Sequence, residues 1–358
     1  MNFDEARAQF PVLERIAHLN AGSFGPLARA TVEAMAARVE LDSEQGRTGR
    51  AFVDEVLALR ARVRTRLAGT IGVPAQKLAL TASTTNGCNI VLAGLRLGPG
   101  DEVVTTDSEH FGLVGPLQAS GAGVRVARIR NRPPEQALAA ILAEVGPRTR
   151  LLALSHVSWL TGNVLPIEEL QEETGLPLLV DGAQTGGAIP VDASRYDFYT
   201  LSAQKWLCGP DSTGALYVRE PEQLHVGLPT YFSQDAYDEA GFYTPRAGAQ
   251  RFDGGWIPTP CLAGLEAALE TIPHWSFRHA GEIAARCWTL LAERFRVVTA
   301  PGQGTLVTFV AERDPIAEAA RLYEQGVLIR DLPGTEWLRV SCGWWTSDDD
   351  LARLLDAL

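Results

Sequence analysis

Between residues 78 and 218 the chain alternates short β-like runs with longer stretches of helical apolar spacing, an order that few folds accept. The β-like runs fall at 78–81, 102–106, 124–129, 150–154 and 177–180, separated by helical stretches at 85–96, 110–120, 134–145 and 166–173. Further strands are expected near 197–201 and 214–218. Strand followed by helix, repeated, calls for an α/β fold with a mostly parallel sheet and helices on both faces. Two helices, 27–45 and 52–71, precede this region. A Gly/Pro-rich stretch, GGWIPTP (254–260), follows it. Beyond lie helices at 261–272 and 276–294, strands at 305–310, 327–330 and 337–341 around a helix at 314–325, and a last helix from Ser347. This tail reads as a small C-terminal α+β domain. The expected division is an N-terminal arm over 1–20 that packs with the small domain, a large domain over 21–255 and a small domain over 256–358. With 358 residues, 46% of them hydrophobic, the chain can fill both cores.

The formal net charge of −11 argues against nucleic-acid or anionic-membrane partners, which select basic patches. No segment reaches the roughly 18 apolar residues of a membrane span. The acidic start, MNFDEARAQF, lacks the apolar core of a secretory signal. Five cysteines (88, 208, 261, 287 and 342) are scattered without a C-x-x-C. They read as reduced thiols of a cytoplasmic protein, with neither a disulfide framework nor a zinc site. The acidic run Asp348–Asp350 reads as the N-terminal turn of a helix, and no metal is expected.

In open α/β sheets, ligands bind beyond the carboxyl ends of the strands. Five polar segments follow expected strands and should converge there: Thr81–Gly87, Asp107–His110, Ser155–Trp159, Asp181–Gly186 and Ser202–Lys205. Among 32 basic residues only Lys77 and Lys205 are lysines. Arg stays protonated, whereas Lys can lose its proton and act as an amine. Lys77 sits in the polar turn VPAQKLAL, where a solvated charge is sufficient explanation. Lys205 sits among apolar and small residues in LSAQKWLCGP, the setting a Schiff-base amine needs. S-x-x-K also marks serine acyl-transfer enzymes, but their S-D-N and K-T-G partners do not occur here. Asp181 ends the strand LPLLV, where it either caps the next turn or pairs with a cationic ring nitrogen. Ser83–Gly87 opens a helix directly after a strand, which fits a phosphate cradle and equally an ordinary N-cap. His110 fits a ring-stacking residue or a satisfied histidine at a helix start. Arg339, a lone Arg in the apolar strand WLRVSCGWW, calls for a carboxylate, from a substrate or from a structural Asp or Glu.

Phosphate cradle, stacking His, Asp-x-x-Gln, Ser-x-x-Lys and a late Arg, in that order, form the toolkit of a pyridoxal 5′-phosphate (PLP) site. Over essentially its whole length the chain resembles the class V aminotransferase/cysteine desulfurase family of fold-type I PLP enzymes. The matching stretches are LNAGSFGP (19–26), TASTTNGCN (81–89), TDSEH (106–110), SHVSWLTGNVLPI (155–167), DGAQTGG (181–187), SAQKWLCGP (202–210) and WLRVSCGWWT (337–346). The pairing of DGAQ with S-x-x-K-W-x-x-G-P is the most specific part. The resemblance implies a seven-stranded sheet and PLP held on Lys205, with Asp181 at the ring nitrogen, Gln184 at the phenolic oxygen and His110 stacked on the ring. It gives Thr84, Thr85 and Ser202 to the phosphate, Arg339 to the α-carboxylate of a small amino-acid substrate, and the Gly22–Ser23 loop to the substrate side. Gln204 replaces the phosphate-binding His usual before the lysine and can still donate a hydrogen bond. Trp159 replaces a common Asn, so that contact with the cofactor's oxygen is expected to be lost and Trp159 to line the substrate space. A homodimer is also implied. The aromatic-rich segment FDGGWIPTP (252–260) is a surface that it would cover, although GGWIP offers no hydroxyl for a partner's phosphate.

Cysteine desulfurases carry a persulfide-forming Cys shortly before the Arg strand, and residues 311–335 contain none. TTNGCNIVLAGL, SHVSWLTGNVLP and QKWLCGP resemble the cysteine/cystine C–S lyase branch instead. The expected reaction is therefore α,β-elimination, with Lys205 as base. An aminotransferase or an epimerase-like member would use the same residues. A silent regulator of this fold would add a DNA-binding module, for which nothing here is basic or long enough. A dinucleotide enzyme would need a G-x-G-x-x-G after the first strand, and none occurs.

Overall fold

The computed structural model describes residues 1–130 and 132–358. Seven strands form one sheet, in the spatial order Leu78–Thr81, Gly214–Val218, Phe198–Ser202, Leu178–Asp181, Thr149–Ser155, Glu102–Thr106, Gly123–Ala127. All neighbours are parallel except Gly214–Val218, which runs against both of its partners. The fold is the expected α/β arrangement.

Successive strand residues point to opposite faces, so an uninterrupted apolar run needs a core on each side. Leu152, Leu154, Leu178 and Val180 enter one core with Leu59, Val63 and Leu67 of the helix Gly49–Thr70. Leu151, Ala153 and Leu179 alternate into a second core with Ile90 and Val91 of the helix Thr84–Leu95. Leu262 and Leu265 of Thr259–Thr271, the first helix after the Gly/Pro-rich stretch, join the first of these cores. Cross-strand register then gathers the functional segments at one edge. Ser155 is level with Asp181, Asp181 with Thr200, and both Ser202 and Thr81 with Gly214.

The smaller sheet is antiparallel, with Trp337–Ser341 between Leu306–Val310 and Arg330–Asp331. Ile283, Leu322, Val340 and Leu351 form its core with the flanking helices. The acidic run starts the last helix, Asp348–Ala357, where Ser347 and Asp350 cap one another reciprocally. Near the N-terminus, Ala17–His18 pairs in parallel with Val327–Leu328, and Arg7 grips Asp350 with two hydrogen bonds of 2.7 and 3.0 Å.

Three elements differ from expectation. The strand read over 327–330 is two pieces, Val327–Leu328 and Arg330–Asp331, because the chain changes pairing partner at the buried Ile329. The helix read over 134–145 is a 3₁₀ turn, Pro134–Gln136, leading into a short helix, Ala137–Leu142. Pro134 opens the turn at its first position, where proline's fixed φ suits a helix start and its missing N–H costs nothing. A hairpin of Gln234–Tyr237 with Tyr243–Pro245 was not foreseen, because its largely exposed residues carry no apolar alternation. Among the described residues no helix is long and apolar enough to cross a membrane.

Candidate active site

The segment after Phe198–Ser202 turns sharply and presents Lys205. Gly25 N–H donates to the Gln204 carbonyl at 2.8 Å, and a Cβ at position 25 would lie 2.0 Å from the Lys205 carbonyl oxygen. Only glycine lets the N-terminal segment close over this turn. Burial pushes the Lys205 amine down from 10.5 to about 8. Asp181 opposes that shift, and the positive charges of Arg339 and Arg330 add to it. Lys77, the other lysine, lies at the surface 3.5 Å from Glu220.

Asp181 caps its own turn, with Oδ1 accepting Ala183 N–H at 2.9 Å, and its charge also acts on Lys205 and His110. The turn-capping alternative is thus present, and the carboxylate's charge reaches Lys205. The start of the helix Thr84–Leu95 is capped as expected and is joined to the neighbouring strand end. Ser83 caps it by accepting Asn86 N–H at 3.2 Å, while Thr84 N–H donates to Ser202 Oγ at 2.9 Å. Thr84, Thr85 and Ser202 thus stand at the positive end of a helix dipole, where an anion is favoured. The Oε1 of Gln204 is buried without a partner. Gln184 Nε2 donates to the Gly22 carbonyl at 3.0 Å and its Oε1 accepts Trp206 Nε1–H at 3.1 Å. One amide N–H of Gln184 is left for a ligand.

His110 caps the helix Phe111–Ala119, its Nδ1 accepting Gly112 N–H at 3.0 Å, which places the ring proton on Nε2. Burial first, and then the Lys205 charge, lower its pKa and keep the imidazole neutral. Trp159 meets the His110 ring edge-on at 5.1 Å between centroids.

Arg339 is 1% exposed. Its Nη1 donates to the Trp159 carbonyl at 2.8 Å, whereas Nε and Nη2 are buried without a partner. Those two N–H groups form the side of a guanidinium that grips a carboxylate in bidentate fashion. Burial, and then the charge of Arg330, push this guanidinium down to about 9. Gly22 leaves the necessary room, because a Cβ there would stand 2.6 Å from Nη2. Sequence reasoning passed over Arg330. It is level with Arg339 on the adjacent strand, donates to Ser23 Oγ at 2.8 Å and lies 5.9 Å over the Trp159 ring. Its one sequence signal is the motif VLIR, an arginine closing an apolar strand in the same domain as Arg339.

A depressed amine, a strand-end carboxylate and a hydroxyl-rich helix start answer the aldehyde, ring nitrogen and phosphate of PLP, so the donor set fits that cofactor. Residues 26–336 match the family model of aminotransferase class-V. The chain belongs to the aminotransferase class-V family. It is a PLP-dependent enzyme. Isopenicillin N epimerase of Streptomyces clavuligerus is 31% identical, across 100% of this chain and 98% of that protein. Cysteine desulfurase CsdA of Escherichia coli is 30% identical across 80% of this chain and 75% of its own length. Among solved structures, the cystine C–S lyase C-DES with its reaction product cysteine persulfide superposes with a TM-score of 0.89 at 30% identity, over 97% of this chain and 98% of that one. A C-DES mutant with glycine covalently linked to PLP gives 0.90 at 29% identity, over 98% of each.

Proposed function

We propose that this class V enzyme cleaves the Cβ–S bond of L-cystine, or of a related cysteine derivative, by α,β-elimination. The observation that carries the reading is the pair of guanidiniums, Arg339 and Arg330, set beside a depressed lysine amine. A substrate with one carboxylate at the reacting carbon and another beyond the sulfur neutralises both. The likeness to C-DES supports the same chemistry.

In this reading Lys205 would hold PLP, Asp181 would serve its ring nitrogen, and Thr84, Thr85, Ser202 and Gln204 would bind its phosphate. His110 would lie beside the ring, and the spare Gln184 N–H would serve the phenolic oxygen. PLP supplies an electron-withdrawing ring that accepts charge from the substrate's Cα. Arg339 holds the α-carboxylate through Nε–H and Nη2–H, which fixes the Cα–H bond for transfer of its proton to Lys205 Nζ. The Cβ–S bond then breaks with its electrons going to sulfur. L-Cystine and water give pyruvate, ammonia and cysteine persulfide. No thiol of the protein is needed, in keeping with the lack of cysteine over 311–335 and the burial of Cys88, Cys208, Cys287 and Cys342.

Epimerisation is a second reading, favoured by the full-length likeness to isopenicillin N epimerase. It shares the Cα proton removal and differs in returning a proton to the other face. The two separate on incubation with L-cystine in the absence of any 2-oxo acid. Pyruvate and ammonia in equal amounts are expected, and turnover without pyruvate would remove the lyase reading.

We also propose a cytoplasmic homodimer. Five free thiols support the compartment. The surface that supports the dimer is only partly the one read from sequence: Phe252 and Ile257 are buried within the chain, Trp256 is exposed, and Tyr231, Tyr237 and Phe242 extend that surface around the unforeseen hairpin. Light scattering is expected to give twice the chain mass, and a fully active monomer would contradict it.

A further inference from the structure

One buried carboxyl beside the site has no part in the steps above. Glu109 directly precedes His110 and is 8% exposed. Its Oε1 accepts the Thr106 hydroxyl at 2.7 Å, and its Oε2 accepts Ser155 N–H at 2.9 Å together with the Ser155 hydroxyl. Ser155 is level with Asp181 on the neighbouring strand, and His156 N–H donates to the Asp181 carbonyl at 3.0 Å. Glu109 therefore joins the ends of Glu102–Thr106 and Thr149–Ser155, and the second of these holds the end that carries Asp181.

Among the described residues, Asp181 and Cys88 act on it from neighbouring elements, and His110 and Asp107 lie within two residues of it in sequence. Asp181 comes from the strand Leu178–Asp181, and Cys88, from the helix Thr84–Leu95, has its thiol kept protonated by burial. On its own turn, His110 is neutral, and Asp107 directs a carboxylate oxygen to the backbone N–H groups of Ile129 and Arg130. Burial is the chief cause that raises Glu109, to about 7; the Ser155 and Thr106 hydrogen bonds oppose it and the Asp181 charge adds to it.

We propose that Glu109 is a positioning residue for Asp181: its hydrogen bonds hold the strand ends in register, and its negative charge strengthens the grip of Asp181 on a cationic ring nitrogen. The proposal rests on the assignment of Asp181 to that nitrogen. Coupling between two sites is reciprocal. If ionised Glu109 favours a cation at Asp181, a cation at Asp181 favours ionised Glu109 by the same factor. A merely structural Glu109 would show no such coupling.

The test is an infrared titration of the Glu109 carboxyl in the apo-protein and in the PLP-loaded protein. Its band is the one missing from Glu109→Gln, which retains the hydrogen-bonding shape without the charge. Should that variant not fold, ¹³C-glutamate labelling identifies the band as the glutamate titrating far above its fellows. Loading PLP is expected to lower the midpoint by about one unit, a coupling of about tenfold, and Asp181→Asn is expected to abolish the shift. A midpoint that PLP leaves unmoved overturns the proposal. If Asp181→Asn retains wild-type turnover, the Asp181 assignment itself has failed. If it loses turnover while the wild-type midpoint stays fixed, the role of Glu109 alone is wrong.

Discussion

Arg330 and Arg339 stand level on neighbouring antiparallel strands and both face Trp159, Arg330 5.9 Å over its ring and Arg339 bonded to its carbonyl. Two guanidiniums so placed repel one another, and a bound substrate with two carboxylates relieves that repulsion. The proposed reaction gives each a separable role. Arg339→Ala is expected to raise KM for every amino-acid substrate by about 10- to 100-fold, the loss of a charged bidentate pair. Arg330→Ala is expected to penalise L-cystine by about 10-fold or more while sparing S-methylcysteine, which has a single carboxylate. Equal loss on both substrates would deny Arg330 the distal carboxylate. Steady-state kinetics with the two substrates decide it.

The Lys205 amine should govern cofactor uptake. Protonated amine cannot attack an aldehyde, so the rate of PLP attachment to apo-protein rises as pH climbs through the amine's pKa. A midpoint near 8, where burial holds this amine, is expected, instead of one near the ordinary 10.5. Stopped-flow absorbance across that range measures it. Borohydride reduction followed by peptide mapping is expected to place the label on Lys205, and label on Lys77 would refute the assignment.

Much of this site was legible because strand ends are where such sheets build ligand sites. The scarcity of lysine singled out Lys205, and Arg339 was conspicuous within an apolar strand. Arg330 was not, because it comes into place through the change of pairing partner at Ile329, a tertiary event that leaves no local pattern. Glu109 sits in the quoted motif TDSEH, yet its burial and its bonds to Ser155 depend on two strands brought together across 46 residues. The mix of apolar and aromatic residues over 252–260 suggested exposure, but which of them face inwards is set by packing that composition does not encode.

Asp181→Ala is expected to lower kcat by on the order of 10² or more, since it removes the charge assigned to the ring nitrogen. PLP should remain attached through Lys205 and the helix start at Thr84. Absorbance in the near-visible reports retention and pyruvate release reports turnover. Wild-type turnover in this variant would end the electrostatic assignment.

Replacing each of the five cysteines by Ser is expected to leave C–S cleavage within about threefold of wild type, because in the proposed elimination sulfur departs as a leaving group without attack by a protein thiol. Four of these thiols are buried, so a loss of activity must be read beside a melting curve. Abolished turnover in a variant that stays folded would point to a persulfide-forming cysteine instead.

The most direct test of the elimination reaction is proton NMR of L-cystine turnover by the PLP-loaded enzyme in D₂O, with no 2-oxo acid present. The expected result is pyruvate carrying solvent deuterium on its methyl carbon, formed together with cysteine persulfide, while unreacted cystine keeps its configuration. Recovered substrate bearing deuterium at Cα and inverted configuration, without pyruvate, would contradict elimination and establish an epimerase. Turnover that begins only on addition of a 2-oxo acid would establish an aminotransferase.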